Sequence, residues 1–413
     1  MSNIKKRILI VNKFLYYKGG AETYAIKVGE TLKKRGYEVE YFGMYSAKNV
    51  VGNELNIYTS EMDFHTKSLK KILYPFSIIY SIDAKRKIRK IIEKFKPDII
   101  HLNNINFQLT PSIIEEANRK KIPVVQTVHD YQMICPNHLL YNKNGICEKC
   151  IKGSKWNCTK YNCIHDSKVK SIIGSIEAIL YTKILKTYKK VNKYICPSKF
   201  IEKQLLKQKD YMGKTKTLHN FIELTDIDFS CPKDDYVLFF GRLSEEKGLR
   251  IFIETCRELN NIKFKIAGVG PLESLTRNID NVEYVGFKTG QDLEELIQKA
   301  KFTVYPSVWY ENCPLSILES ESLGTPVITA NYGGMKELVK NNITGLLIDV
   351  VNKANLKKAI TDLYYDNDKI NKMSKNCIEE RKNMITLDCY IDEIEKIYNE
   401  VLGEKYESSD DRT

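Results

Sequence analysis

Short apolar runs and longer amphipathic stretches alternate through most of the 413 residues. In the first half the apolar runs fall at 8–11, 39–42, 99–102 and 124–128, and helical spacing predicts helices at about 21–35, in a stretch ending at Phe95, and around 113–119. The second half repeats this grammar, with strands at 236–240, 264–267, 282–285, 302–305, 327–329 and 345–348. Its predicted helices lie near 249–259, at 292–300, from Pro314 to a stop at Gly324 and Pro326, and after Gly334. Short, mostly apolar strands separated by helices pair in parallel and are covered on both faces, so each half predicts a doubly wound α/β sheet. The polar stretch 220–235, with Pro232, is the predicted hinge. The chain beyond 355 reads as helical, and the final residues 407–413 are polar enough for disorder.

Composition adds bounds. At 43% hydrophobic residues the chain can fill two or three cores. No run of eighteen apolar residues occurs, so no membrane-spanning helix is predicted. The opening Met-Ser-Asn-Ile-Lys-Lys-Arg leads into an apolar run of four residues, which reads as a first strand rather than a secretion leader and predicts a cytoplasmic protein. The net charge of +13 concentrates in two stretches, Lys67 to Lys96 with ten basic residues against two acids, and Lys168 to Lys214 with twelve against three. Lysines interleaved with Tyr74, Phe76, Ile78, Ile79 and Tyr80 suit an anionic membrane surface, where stems and rings bury while ammonium groups meet headgroups. No nucleic-acid motif accompanies the charge, so nucleic acid is not predicted as a partner. A lysine-rich solvated surface is the plain alternative.

In open parallel sheets ligands gather at the carboxyl ends of strands. The loops there are rich in glycine and ionisable residues. Glu311 and Glu319 bracket Glu-Asn-Cys-Pro-Leu-Ser-Ile-Leu-Glu. Pro314 is predicted at the first helical position with Cys313 as a weak cap, and the amides of Cys313, Leu315 and Ser316 would face an anion such as phosphate. A phosphate cradle between two carboxylates fits a sugar nucleotide, though a solvated helix with scattered acids gives the same letters. Arg242 and Lys247 follow a buried strand, between Gly241 and Gly248, where cations can neutralise a departing diphosphate. His129 and Asp130 end a strand in the first half, and Gly19-Gly20 can bring backbone amides near a ligand. Asp366 and Asp368 read as capping or solvated groups, and 220–222 as a junction turn.

Taken together, Gly-Arg-x4-Lys-Gly at 241–248, Glu-x7-Glu at 311–319 and Gly-Gly-Ala-Glu at 19–22 resemble the retaining glycosyltransferases of family four, from the first strand to about Ile348. The resemblance implies the GT-B fold, two facing Rossmann-like domains with parallel sheets and a carboxy-terminal helix crossing back to the first. The expected domains are 1–225 on the acceptor side, 226–385 for the donor, and 386–413 for the returning helix and tail. It implies that Arg242 and Lys247 hold the diphosphate, that Glu319 binds the ribose, and that Glu311, with His129, serves the transferred sugar. Asn312, Cys313, Pro314, Leu315 and Ser316 complete the cradle. Gly268, Gly270 and Phe287 approach the base, and Gly19 and Gly20 the diphosphate or acceptor. The implied activity is transfer from a nucleotide-diphosphate sugar to a glycan or lipid-linked glycan in surface polysaccharide synthesis, peripheral to the inner membrane face. No catalytic cofactor is implied, and the leaving phosphate would assist deprotonation of the acceptor. A GT-B epimerase, a phosphorylase and a non-catalytic sugar-nucleotide binder are the rivals. A nicotinamide oxidoreductase is disfavoured because Gly268-x-Gly270 lacks the third glycine of the dinucleotide fingerprint.

Five of eleven cysteines lie between 135 and 163. Cys147, Cys150, Cys158 and Cys163 have the spacing of a structural zinc set, with Cys135 and His165 in reserve. Free thiols and disulfides are the alternatives. Some family members carry a similar cysteine-bearing insertion after His-Asp, which implies a structural role for it.

Overall fold

Runs of consecutive buried residues form the central strands, because a chain this apolar over four residues can only be covered on both sides. The structure is a computed structural model that describes residues 6–60, 74–229 and 231–403, with side chains of 74–76 outside the description. It divides into two units, Met1–Leu218 with Leu387–Thr413, and His219–Thr386.

The first unit runs β1 (Arg7–Val11), α1 (Gly20–Lys34), β2 (Glu38–Phe42), α2 (Tyr74–Ile79), α3 (Ile82–Phe95), β3 (Ile99–Leu102), α4 (Ser112–Arg119) and β4 (Val124–Thr127). A small hairpin of β5 (Tyr141–Asn142) and β6 (Gly145–Ile146) follows, then α5 (Lys149–Lys152), α6 (Asn157–Lys160), α7 (Lys168–Ile179), β7 (Lys193–Cys196), α8 (Lys199–Leu206) and β8 (Thr215–Thr217). Its parallel sheet has the order β2-β1-β3-β4-β7-β8. The predicted helix ending at Phe95 is α3. Ser81 caps it by accepting from the amide of Ala84, Lys96 ends it in the left-handed region, and Ala84, Ile88, Ile91 and Ile92 form its buried face. The stretch just before it is not one continuous helix, because α2 is separate, and part of the basic run from Lys67 lies outside the described residues.

The second unit runs β9 (Val237–Phe240), α9 (Leu249–Cys256), β10 (Phe264–Ala267), β11 (Val282–Gly286), α10 (Gly290–Lys299), β12 (Phe302–Tyr305), α11 (Leu315–Ser322), β13 (Val327–Ala330), α12 (Met335–Leu338), β14 (Gly345–Ile348), α13 (Lys353–Tyr364) and α14 (Asn367–Arg381). Its parallel sheet is ordered β11-β10-β9-β12-β13-β14. Val237, Phe239, Phe252, Phe264, Ile266, Phe302 and Val304 share one core with Leu356, Ile360 and Leu363 of α13. Asp366 caps α14 by accepting from the amide of Lys369 at 2.9 Å, so it serves the helix end. The chain then returns to the first unit as α15 (Leu387–Leu402), which packs on α1.

Each sheet reverses its direction of winding once. The reversal lies between β1 and β3 in the first unit and between β9 and β12 in the second. A crevice at the carboxyl ends of the strands opens at such a point. The candidate loops after β1, β9 and β12 leave those strands, and the loops after β4, β10 and β11 leave strands further along the same sheets.

Candidate functional site

In the second unit, three loops knit together beside the β9/β12 reversal. Gly268, with φ of 133°, passes so close to the first loop that a Cβ there would lie 1.9 Å from the carbonyl oxygen of Gly241, which requires glycine. Backbone bonds from Gly241 to Ala267 and from Leu243 to Val269, each 3.0 Å, hold the two loops in register. The first loop also passes α11, since a Cβ on Gly241 would sit 3.7 Å from the hydroxyl oxygen of Ser316. Arg242 is exposed and makes no ion pair among the described residues. Phe287, at 66% exposure, stands just beyond β11.

Lys247 and buried Glu311 form a partly buried ion pair, Nζ to Oε1 at 2.5 Å. The same Oε1 accepts from Tyr305 and Ser307 at 3.0 Å each and from the indole of Trp309 at 2.5 Å. All four contacts fall on one oxygen and leave Oε2 out of the cluster. The Lys247 ammonium also donates to the Tyr305 hydroxyl at 2.7 Å and lies over the Tyr305 and Trp309 rings. The backbone of Glu311 is fixed too, its carbonyl accepting from Gly334 at 2.6 Å. Glu319 sits in the second turn of α11, half-buried, and its charge reaches Tyr305. Pro314 is the residue before the helix rather than its first residue, and no side chain caps the helix, so Cys313 is not the cap. Cys313 is buried instead, its thiol pushed up to about 12 by burial, and its carbonyl accepts from the Asn220 side chain at 2.8 Å. The 220–222 turn therefore braces the cradle. The first-turn amides of α11, with no side-chain cap, can accept an anion.

In the first unit, His129 follows β4 and donates Nε2–H to Oδ1 of Asn103 at 2.9 Å. The bond sets the tautomer, because an amide oxygen can only accept. Burial pushes His129 down to about 3, so the ring is neutral near pH 7. The edge of Tyr24 packs on it at 4.9 Å between centroids. Asp130 accepts from the Asn106 amide at 2.5 Å and from the backbone of Gln132 at 2.9 Å. Gly19 precedes α1 in extended backbone and Gly20 opens it, both exposed.

Two family descriptions cover this chain. The model for glycosyltransferase family 4 matches residues 18–226, more than half of its length, and the model for glycosyl transferases group 1 matches residues 226–383. The chain is a family-four glycosyltransferase. An uncharacterised protein from the cps region of Klebsiella pneumoniae is 28% identical over 80% of this glycosyltransferase and 87% of its own length. The amylovoran biosynthesis glycosyltransferase of Erwinia amylovora is 30% identical over 27% of this chain and 31% of its own. Among solved structures, a Rickettsia africae glycosyltransferase aligns with a TM-score of 0.66 at 18% identity, over 97% of this chain and all of the other. The Anabaena protein HepE, solved with UDP and glucose, aligns at 0.67 and 16% over 96% of this chain and 100% of its own. Both share the GT-B fold.

The cysteine insertion of this glycosyltransferase departs from the zinc expectation. Among the described residues no three or more His, Cys, Asp or Glu side chains converge to hold a metal ion. The Cys158 and Cys163 thiols hydrogen-bond each other, which lowers Cys163 and raises Cys158. Asn142 donates to Cys163 Sγ at 3.3 Å. Burial lifts Cys150 to about 12 and Cys135 to about 11. Near these last two lies the buried ammonium of Lys155, donating to the carbonyls of Ile134 and Cys150 at 2.8 and 2.9 Å. Those two bonds tie the loops at Ile134 and Cys150 together beside the Cys135 and Cys150 thiols. Cys147 is half-exposed and His165 exposed.

Tyr305, Ser307, Trp309, Asn220 and Asn103 escaped sequence reasoning. Tyr305, Ser307 and Trp309 do leave a signal, alternating donors between the end of β12 and Glu311.

Proposed function

We propose that this glycosyltransferase moves a sugar, with retention, from a nucleoside-diphosphate sugar to a hydroxyl of a glycan or lipid-linked glycan during assembly of a cell-surface polysaccharide. The observation that carries the reading is the Lys247–Glu311 pair beside the open amino end of α11, with exposed Arg242 on the adjoining loop. Cations and amides suit the diphosphate, whose departing charge they stabilise. Glu319 suits the ribose hydroxyls, and Oε2 of Glu311 suits the sugar. Saturated by four donors on Oε1, Glu311 orients its ligand rather than shuttling a proton. The acceptor proton passes to the leaving phosphate oxygen as the new glycosidic bond forms on the same face. Neutral His129 serves the sugar as a hydrogen-bonding group. The Klebsiella cps-region and amylovoran relatives support the polysaccharide setting, and HepE, solved with UDP and glucose, supports a nucleotide-sugar donor.

Attachment to the inner membrane face belongs to the same proposal. Val169 and Ile184 of the α7 region are 66% and 67% exposed beside exposed Lys168, Lys170, Lys183 and Lys186, a mix that fits anionic lipid. No described helix is long and apolar enough to cross a membrane. Failure to float with anionic liposomes at low salt would remove this part.

The transfer reading is tested with Glu311→Gln, which keeps shape where Ala would strand four donors. A panel of sugar nucleotides first identifies the donor by thermal stabilisation. Glu311→Gln then lowers turnover by about a hundredfold or more while the donor still binds. Unchanged turnover sinks the assignment.

A further inference from the structure

Asn103 is the first residue after β3, on the reversal between β1 and β3, and its backbone amide is bonded to Val11 at 2.8 Å. The side chain is fixed at one end, where Oδ1 takes the His129 proton. It is 3% exposed, yet its Nδ2 has no hydrogen-bond partner among the described residues. Neighbouring amides are used. Asn106 bonds Asp130, Lys13 and His138, and Asn12 bonds the carbonyl of Phe14 and the amide of Asn104. A buried NH2 stripped of water and given nothing in return is costly, and beside a candidate site a ligand that accepts from it accounts for its being kept. The groups described in contact with it point to a neutral ligand, since the partner ring is an uncharged imidazole that itself packs with Tyr24.

We propose that Asn103 is a carbohydrate-binding residue, holding His129 through Oδ1 and donating Nδ2–H to a sugar hydroxyl bound beside that histidine. The inference rests on the transferase reading and adds to it a residue that selects for a hydroxyl. A site built to donate to a hydroxyl rejects the ligand lacking it far more strongly than an apolar pocket does.

The test uses the full chain and the sugar nucleotide that stabilises it most in a panel of UDP-, GDP- and ADP-sugars. Asn103→Asp keeps an acceptor for Nε2–H but loses the donor. Asn103→Ala loses both. Affinity for the sugar nucleotide and for its parent nucleoside diphosphate, KM for donor and acceptor, and the nitrogen resonances of the His129 ring are measured in each. The expected result is at least a tenfold rise in one sugar-dependent constant in both variants, with nucleoside-diphosphate affinity within twofold. A rise in the donor constant assigns the hydroxyl to the transferred sugar, and a rise in the acceptor constant assigns it to the acceptor. Sugar constants within twofold of wild type in both variants overturn the proposal. So does an Asn103→Asp variant that keeps full sugar affinity and the wild-type His129 tautomer while Asn103→Ala loses both, because Asn103 then only positions the ring. The readings fail separately, since full turnover in Glu311→Gln sinks the second-unit assignment and leaves these constants to be read on their own.

Discussion

Glu177 shows how one buried group sets a pH dependence. It lies in α7 at 6% exposure, and burial, reinforced by Asp130 and opposed by the Gln132 amide and Lys155, raises its carboxyl from 4.5 to about 8. Between those values the native state holds a proton that the unfolded state releases, so the folded form binds more protons and loses stability as pH rises. Glu177→Gln stays neutral at every pH. It is expected to melt close to wild type at pH 5 and well above it at pH 8, a gain on the order of a few kcal/mol. Calorimetry at the two pH values checks this, and identical pH profiles for the two proteins would exclude it. Residue chemistry of this kind was illegible beforehand. Gln132 and Glu177 are 45 positions apart, and nothing in either neighbourhood signals the other. The Lys247–Glu311 bond spans 64 positions, yet both partners could be singled out because each follows a buried strand.

Elements were legible where burial dictates sequence. β9 and β12 are unbroken or nearly unbroken apolar runs, and their loops could be placed at strand ends. β8, Thr215–Thr217, could not be read, because Thr-Lys-Thr has no apolar face and becomes a strand through pairing with β7. The cysteine spacing was legible, but the buried ammonium of Lys155 beside Cys135 and Cys150 was not, since a single lysine in a lysine-rich stretch carries no signal. α15 was legible as a helix, and its chemistry sharpens what it does. Tyr390, Ile391, Ile394, Ile397 and Tyr398 are buried against the first unit, Arg35 pairs with Asp388 and Asp392, and the Tyr398 hydroxyl meets His101 Nδ1 at 2.7 Å. Tyr390 in turn bonds Tyr24, which packs on His129. At about 2 kcal/mol for each buried apolar side chain, deleting 387–413 removes about 10 kcal/mol, as much as a domain's whole stability. The truncated chain is expected to leave the first unit unfolded, seen as loss of its melting transition. Tyr398→Phe strands one ring nitrogen and should cost about 1–3 kcal/mol. A truncated chain melting like the full one would refute this role.

Across the whole molecule the titratable load is unequal. Burial lowers His101, His129 and His138 of the first unit from 6.5 to about 3, 3 and 4. In the second unit His219 is half-buried against Glu337 at 3.0 Å. For a group whose folded value is depressed, the unfolded chain gains protons first as pH falls, so stability present above 6.5 drains away below it. At about 1.4 kcal/mol per pH unit for each group, three such histidines withdraw several kcal/mol from the first unit between pH 6.5 and 4.5. Glu177 works the other way over that range, but one carboxyl cannot offset three imidazoles. The two tryptophans report the units separately, Trp156 in the first and Trp309 in the second. A Trp309→Phe chain followed by Trp156 fluorescence should show its melting point falling by several degrees per pH unit below 6.5. A Trp156→Phe chain followed by Trp309 should change far less over the same interval. Parallel declines in the two variants would mean that the buried histidines do not govern acid sensitivity, and a first unit stable at pH 4.5 would mean that they are not buried in the neutral form.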